Sequence, residues 1–139
     1  MARTWFMVAS DSAESFRWEP FLMKKDSTFW WLKRLPRNFK AAEEGDLILC
    51  YRSGNEKRGL VGLAVVEEAF NDDGIKIKGL RLFPDPIAYS DFRDEKVYRT
   101  TEAGRLRNRG TLFSVHDEFV GWVRKELESF GDLESAALL

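Results

Sequence analysis

The stretch that most constrains this chain is Asn38 to Val66, NFKAAEEGDLILCYRSGNEKRGLVGLAVV. Leu47 to Tyr51 is apolar at every position, the pattern of a strand whose two faces are both covered inside a small barrel or sandwich. Asp46 launches that strand. Asn38 is expected to cap a helical turn through Phe39, Ala41 and Ala42, and Gly45 suits the left-handed conformation that often ends a helix. Arg52-Ser53-Gly54-Asn55 begins a polar hairpin, and Gly59 to Glu68 returns as the partner strand. Gly62, in its interior, predicts a bulge or a close backbone approach.

The rest of the chain can be read around this hairpin. Thr4 to Ala9 is a short apolar strand that ends at Ser10. Ala13 to Lys25 predicts a short helix before or after Pro20, because proline forbids an uninterrupted one. In IKIKGLRLF the apolar residues change parity at Gly79, from Ile75 and Ile77 to Leu80 and Leu82. Side chains alternate with period two, so a one-residue shift at a glycine predicts a β-bulge, and bulged, curving strands favour a barrel. Pro84 and Pro86 should end this strand. A short helix is expected within Ile87 to Asp94, an irregular segment over Val97 to Gly110, and a last strand at Leu112-Phe113. Ser114 and Asp117 form a capping-box signal before Phe119, Val123, Leu127 and Phe130, a helical stripe broadened by Val120 and Trp122.

With 139 residues, 44% of them hydrophobic, the chain suits a single domain over residues 1–131 and a loosely held tail over 132–139. No apolar run approaches a membrane span and the first residues lack the pattern of a secretory signal, so a soluble, cytoplasmic protein is expected. Net charge is −1, but its distribution is uneven. Six basic residues and one acidic residue lie between Lys24 and Lys40. A second basic cluster is Arg99, Arg105, Arg107 and Arg109, whereas Asp117 to Leu139 holds six acidic and two basic residues. One face is expected to be positive and the C-terminal end negative.

Residues suited to catalysis are sparse. His116 is the only histidine and falls at an expected helix start, where capping or exposure accounts for it. Cys50 and His116 are compatible with a spatial pair, yet no local motif marks an activated nucleophile. The sequence has no GxSxG, HExxH, P-loop or GxGxxG. Glu43-Glu44, Glu67-Glu68 and Asp72-Asp73 read as solubilising surface pairs. One cysteine allows neither an intramolecular disulfide nor a multi-cysteine metal site. No catalytic residue, metal or cofactor is therefore assigned. The tryptophans say more. Trp5, Trp18 and Trp122 have packing explanations, whereas Trp30 and Trp31, adjacent in an extended segment, must point to opposite sides. An indole beside Lys33, Arg34 and Arg37 fits a surface that stacks a flat ring and holds a phosphate backbone.

In the order of these motifs the sequence resembles the EVE domain family, part of the PUA-like superfamily that includes YTH and ASCH domains. The resemblance rests on TWFMVAS ending in Ser10, a tryptophan at Trp30 or Trp31, NFKAAEEGDLILCYRSG running into GLVGLAVVEEAF, then IKIKGLRLF and the closing SVHDEFVGWV. It covers about residues 3 to 130. It implies an α+β, PUA-like fold, a curved mixed β-barrel with short helices and a C-terminal helix packed on it. It also implies a pocket for a single base, with Ser10 and Trp31 or Trp30 at the pocket and Asn38, Tyr51, Arg52 and Ser53 nearby. Leu32 departs from the family pattern, in which many relatives carry a small or polar residue after the tryptophan, and the choice between the two indoles stays open.

The function implied is a non-catalytic nucleic-acid-binding module that recognises a modified, for example methylated, or flipped-out base of DNA or RNA. Phosphate contacts are expected from Lys33, Arg34, Arg37, Arg105, Arg107 and Arg109. A restriction, repair or RNA-processing protein would be its partner, and no membrane is involved. The alternative is a small hydrolase or nuclease on an ASCH-type fold, which needs His116 and a Glu or Asp in one cleft. A plain protein-interaction domain is the third reading.

Overall fold

The computed structural model describes residues 3–10, 16–31, 36–54, 57–70 and 74–139, with the backbone alone for Trp31, Pro36, Arg37 and Phe70. In β1 (Thr4–Ser10), Trp5, Met7 and Ala9 pack on one face and Phe6 and Val8 on the other. Both faces are apolar because the strand lies inside a sheet covered on both sides. It runs parallel to β3 (Leu47–Ser53) and antiparallel to β6 (Leu112–Ser114). With β2 (Ser27–Trp31), β4 (Gly59–Phe70) and β5 (Gly74–Ala88), the described strands form one mixed sheet in the order β2-β5-β4-β3-β1-β6.

The sheet curls into a half-barrel. Its inner face gathers Trp5, Met7, Ile48, Cys50, Val61 and Ile77, closed by Trp18, Phe21 and Leu22 of α1 (Trp18–Met23) and Phe39 of α2 (Pro36–Ala41). The outer face gathers Phe6, Leu49, Tyr51, Leu60, Leu63 and Phe83. It is covered by α3 (Tyr89–Phe92), α4 (Lys96–Arg99), α5 (Glu102–Arg105), the C-terminal helix α6 (Asp117–Ser129) and α7 (Leu133–Ala136). Phe119, Val123 and Leu127 of α6 are fully buried at four-residue spacing. This double cover is why Leu47 to Tyr51 carries no polar side.

Two glycines produce the curl. The pairing of β4 with β5 skips Leu80, so that Leu63 faces Arg81 and Ala64 faces Gly79, the bulge expected from the change of parity. At Gly62 a Cβ would stand 2.3 Å from the Arg81 carbonyl oxygen and 2.5 Å from Leu22 Cδ1, and the register slips on both sides of that residue. Close backbone approach of β5 and of α1 requires the missing side chain.

Several expectations are corrected. The first helix runs through Pro20 rather than before or after it, because the proline sits in the first turn, where its absent N–H leaves no bond unmade. β5 continues past Pro84 and Pro86 to Ala88. Its pairing with β4 jumps from Leu82 to Ile87, so the prolines occupy exposed positions that need no ladder donor. The segment expected to be irregular holds α4 and α5, the latter capped by the Thr101 hydroxyl accepting from Gly104 N–H. Ser114 belongs to β6 instead of capping α6. The last residues are not a loose tail, since Ser135 and Ala136 of α7 are buried. Arg81 holds that turn through Asp132 at 3.2 Å, Glu134 at 2.9 Å and the Ser135 hydroxyl at 2.5 Å. Hydrogen bonds from Ser135 and Arg81 outweigh the opposing effect of burial and hold the Asp132 carboxyl below its ordinary range.

Candidate nucleic-acid interface

The strand ends fix where a site can lie. β1 and β3 finish side by side, with Ser10 opposite Ser53, and β4 starts and β5 ends at the same edge, with Gly59 facing both Arg52 and Ala88. The segment entering β6 joins them, its Thr111 carbonyl accepting from Val8 N–H at 2.7 Å.

On the inner side of this edge the Trp18 indole N–H donates to the Tyr51 carbonyl at 2.9 Å. Trp30 stacks on Trp18, with ring centroids 6.1 Å apart and planes 16° from parallel, and Phe16 meets Trp30 edge-on at 4.9 Å. Trp30 is half-buried, and its indole N–H is buried with no acceptor among the described residues. A buried donor left unpaired costs roughly 1–3 kcal/mol, so this group calls for an acceptor. Arg52 is committed elsewhere: it forms an ion pair with Glu19 of α1 and donates to the Lys57 carbonyl from Nε at 2.9 Å and Nη2 at 2.6 Å.

The outer side is built differently. The Tyr51 ring stacks on Phe6 at 5.1 Å and meets Tyr89 at 5.9 Å, so its side chain lies across the sheet from Trp30. Burial raises the Tyr51 hydroxyl above the ordinary tyrosine range despite the opposing pull of Asn108 and Arg58. Tyr98 is pushed further up, again chiefly by burial, and its hydroxyl donates to Asn108 Oδ1 at 2.6 Å. Arg107 and Asn108 both take left-handed backbone angles, φ +53° and +58°.

The residues expected at one pocket are thus divided between faces. Trp30 and Arg52 lie on the inner face, Tyr51 on the outer face, and Ser10 and Ser53, both half-buried, at the rim in the parity of Tyr51. The Trp31 side chain, Lys33 and Arg34 lie outside the described residues, as does the side chain of Arg37. Asn38 does not cap α2, which begins at Pro36. It is 7% exposed, and Nδ2 donates to Glu102 Oε1 and to the Leu112 carbonyl, each at 2.7 Å. Both amide hydrogens tie α2 to α5 and β6, leaving neither for a base.

Arg105 and Arg107 are brought together with residues that sequence reasoning did not join to them. A cleft of about 360 Å³ on the helical face is lined by Tyr89, Arg93, Asp94, Tyr98, Arg99, Gly104, Arg105 and Arg107. The density of arginines after Arg99 was visible in the sequence, but nothing local linked it to Tyr89 or Arg93. Arg109 is exposed on the following loop.

Cys50 and His116 do not meet. Cys50 is fully buried on the inner face, where burial pushes its thiol well up, whereas His116 is exposed and its Nε2 lies 2.8 Å from the Thr100 carbonyl. His116 lines a separate cleft of about 350 Å³ with Lys96, Val97, Thr100 and Glu118. Among the described residues no group of three or more His, Cys, Asp or Glu could hold a metal, and no helix is long and apolar enough to cross a membrane.

Known structures share this architecture. A hypothetical protein from Leishmania major superposes with a TM-score of 0.78 at 14% identity, covering 94% of this chain and 98% of its own. Rpa0253 from Rhodopseudomonas palustris gives 0.69 at 21% identity, covering 84% and 87%. Human THYN1, solved in complex with 5-methylcytosine containing DNA, gives 0.68 at 13% identity, covering 88% and 95%. At such identities the likeness shows the fold alone. No curated relative matches the sequence. The EVE domain family model matches residues 3–125. With that match across the whole described sheet and most of α6, the chain belongs to the EVE domain family.

Proposed function

We propose that this chain is a non-catalytic module that binds nucleic acid and receives a modified or flipped-out base at the sheet edge beside Trp30, Trp31, Ser10 and Ser53. The observation that carries the reading is the Trp30 indole N–H, a buried donor with no acceptor among the described residues. A base carbonyl or ring nitrogen would complete it. The complex of the THYN1 fold with 5-methylcytosine containing DNA supports the same ligand class.

The energetics are compatible with this role. Extruding a base from a duplex costs a few kcal/mol, and less from a mismatch or a single strand. Stacking on an indole returns roughly 1–3 kcal/mol per base. A methyl group in an apolar contact adds about 1–3 kcal/mol, so preference for the modified base over the plain one should be modest. Lys33, Arg34, Arg37, Arg105, Arg107 and Arg109 would supply phosphate contacts and with them salt-sensitive affinity. A restriction, repair or RNA-processing protein is the proposed user of the recognition.

Titration of fluorescent oligonucleotides, single-stranded and duplex, with and without 5-methylcytosine, tests the reading. Affinity should fall steeply between about 50 and 200 mM salt. Trp30→Ala or Trp31→Ala should weaken it by roughly 5- to 150-fold, the equivalent of one stacked base. Unchanged binding in both variants would remove the pocket from this edge. A hydrolase remains the second reading because His116 and Glu118 share one cleft. Full retention of any detected hydrolysis in His116→Ala would dismiss it.

A further inference from the structure

On the helical side of the sheet, α3, α4 and α5 enclose a cleft whose composition is unlike that of the base edge. Arg93, Arg99, Arg105 and Arg107 line it together with Tyr89 and Tyr98. We propose that this cleft holds the phosphate group of a nucleotide without needing the edge at Trp30, so that Arg105 and Arg107, offered above as backbone contacts, belong to a phosphate site of their own.

Charge is the first ground. Four guanidinium groups face a single carboxylate, Asp94, and that carboxylate pairs with Arg93 at 3.5 Å. Among the described residues Arg99, Arg105 and Arg107 have no carboxylate partner. Like charges gathered at one concavity repel one another, and a doubly charged anion that accepts several N–H bonds turns that repulsion into attraction. The planar fork of arginine matches phosphate oxygens two at a time, and a doubly charged phosphate balances more of the four guanidinium charges than a monovalent carboxylate does.

The second ground is the platform beneath the arginines. Gly104 lets α5 close on α4, because a Cβ there would stand 2.1 Å from the Tyr98 carbonyl oxygen. The Tyr98 hydroxyl is spent on Asn108 at 2.6 Å, which holds the turn carrying Arg107 in its left-handed form. Residues other than glycine rarely take two such angles in succession, so the surrounding contacts fix the direction in which Arg107 leaves the backbone.

The third ground is size. At about 360 Å³ the cleft falls in the lower range of small-molecule sites and is larger than a bare phosphate needs. Tyr89, half-buried and already covered by Arg58 at 5.1 Å, leaves an aromatic edge for the sugar or base attached to that phosphate.

The test uses the full chain labelled with ¹⁵N and titrated with cytidine 5′-monophosphate, cytidine, inorganic phosphate and sulfate. The monophosphate should shift the amide signals of Gly104, Arg105 and Arg107, while cytidine should not. Arg99→Gln with Arg105→Gln should weaken the monophosphate on the order of tenfold or more, since two charge-assisted contacts are lost. Trp30→Ala should leave it unchanged, so failure of this site and failure of the base edge are read separately. An unmodified oligonucleotide added to the loaded protein identifies the source of the phosphate: displacement assigns it to the polymer backbone, and simultaneous binding assigns it to a free nucleotide. No shift up to millimolar nucleotide, equal binding by the double variant, or sulfate binding as tightly as the monophosphate would overturn the proposal.

Discussion

Asn38→Ala should destabilise the protein without touching its ligand. In the native structure Nδ2 donates to the Glu102 carboxylate and to the Leu112 carbonyl, each at 2.7 Å and each more than sixty residues away in sequence. Glu102 also accepts the Ser114 N–H at 2.9 Å, so a single amide joins α2, α5 and β6. A bond to a neutral carbonyl contributes about 0.5–1.5 kcal/mol and one to a charged group about 1.5–3 kcal/mol. The expected loss is therefore about 3 kcal/mol, on the order of 10 °C in Tm for a domain of this size. Urea unfolding followed by tryptophan fluorescence measures it. Asn38→Asp should cost more near neutral pH, because it sets a second carboxylate beside Glu102. Its deficit should shrink as pH falls, since protonating either carboxyl restores a donor. A change in Asn38→Ala below about 0.5 kcal/mol, or weakened oligonucleotide binding at unchanged stability, would refute the reasoning and return Asn38 to the pocket.

Other perturbations follow from the same geometry. Gly62→Ala should cost about 1–3 kcal/mol by the same denaturation assay, because its Cβ meets the Arg81 carbonyl oxygen, which is backbone and cannot swing away. Unaltered stability would show that the bulge tolerates a side chain. Arg81→Ala should release α7, seen as faster amide hydrogen exchange at Ser135 and Ala136 with the sheet unaffected; slow exchange there would mean apolar packing suffices to hold that helix. The raised Tyr98 hydroxyl gives a pH signature. Its protonated form is the one that fits the fold, so its stabilisation is complete below the ordinary tyrosine value near 10 and is lost as pH rises above it. The urea midpoint of the wild type should fall more steeply above about pH 10 than that of Tyr98→Phe, and parallel curves would contradict the assignment.

What could be read from the sequence depended on whether its signal was local. The parity change at Gly79 and the glycine inside β4 reported backbone geometry directly, and both bulges are present. The apolar run from Leu47 to Tyr51 foretold a sheet covered on both faces. The two prolines misled about the end of β5 because whether a proline interrupts a ladder depends on the partner strand's register. α4 and α5 went unseen because four-residue helices bury only Tyr98, Glu102 and Ala103, and their arginines read as solvated loop. Asn38 carried a capping signal, yet its long-range partners Glu102 and Leu112 won the side chain. At the site, alternation sets Trp30 and Trp31 on opposite sides of their strand, but no local pattern shows which face of a curled sheet a strand-end residue serves.

Base binding beside Trp30 can be followed through the five indole N–H groups of the chain. Among the described residues three have partners: Trp5 donates to Asp46 at 2.9 Å, Trp18 to the Tyr51 carbonyl at 2.9 Å and Trp122 to Glu95 at 3.1 Å. Proton–nitrogen correlation spectra recorded during titration with a 5-methylcytosine oligonucleotide should show Trp30, Trp31 or both moving while the Trp5 and Trp122 signals stay in place. Binding that shifts only Trp122, or leaves every indole signal where it was, would place the base away from Trp30 and Trp31.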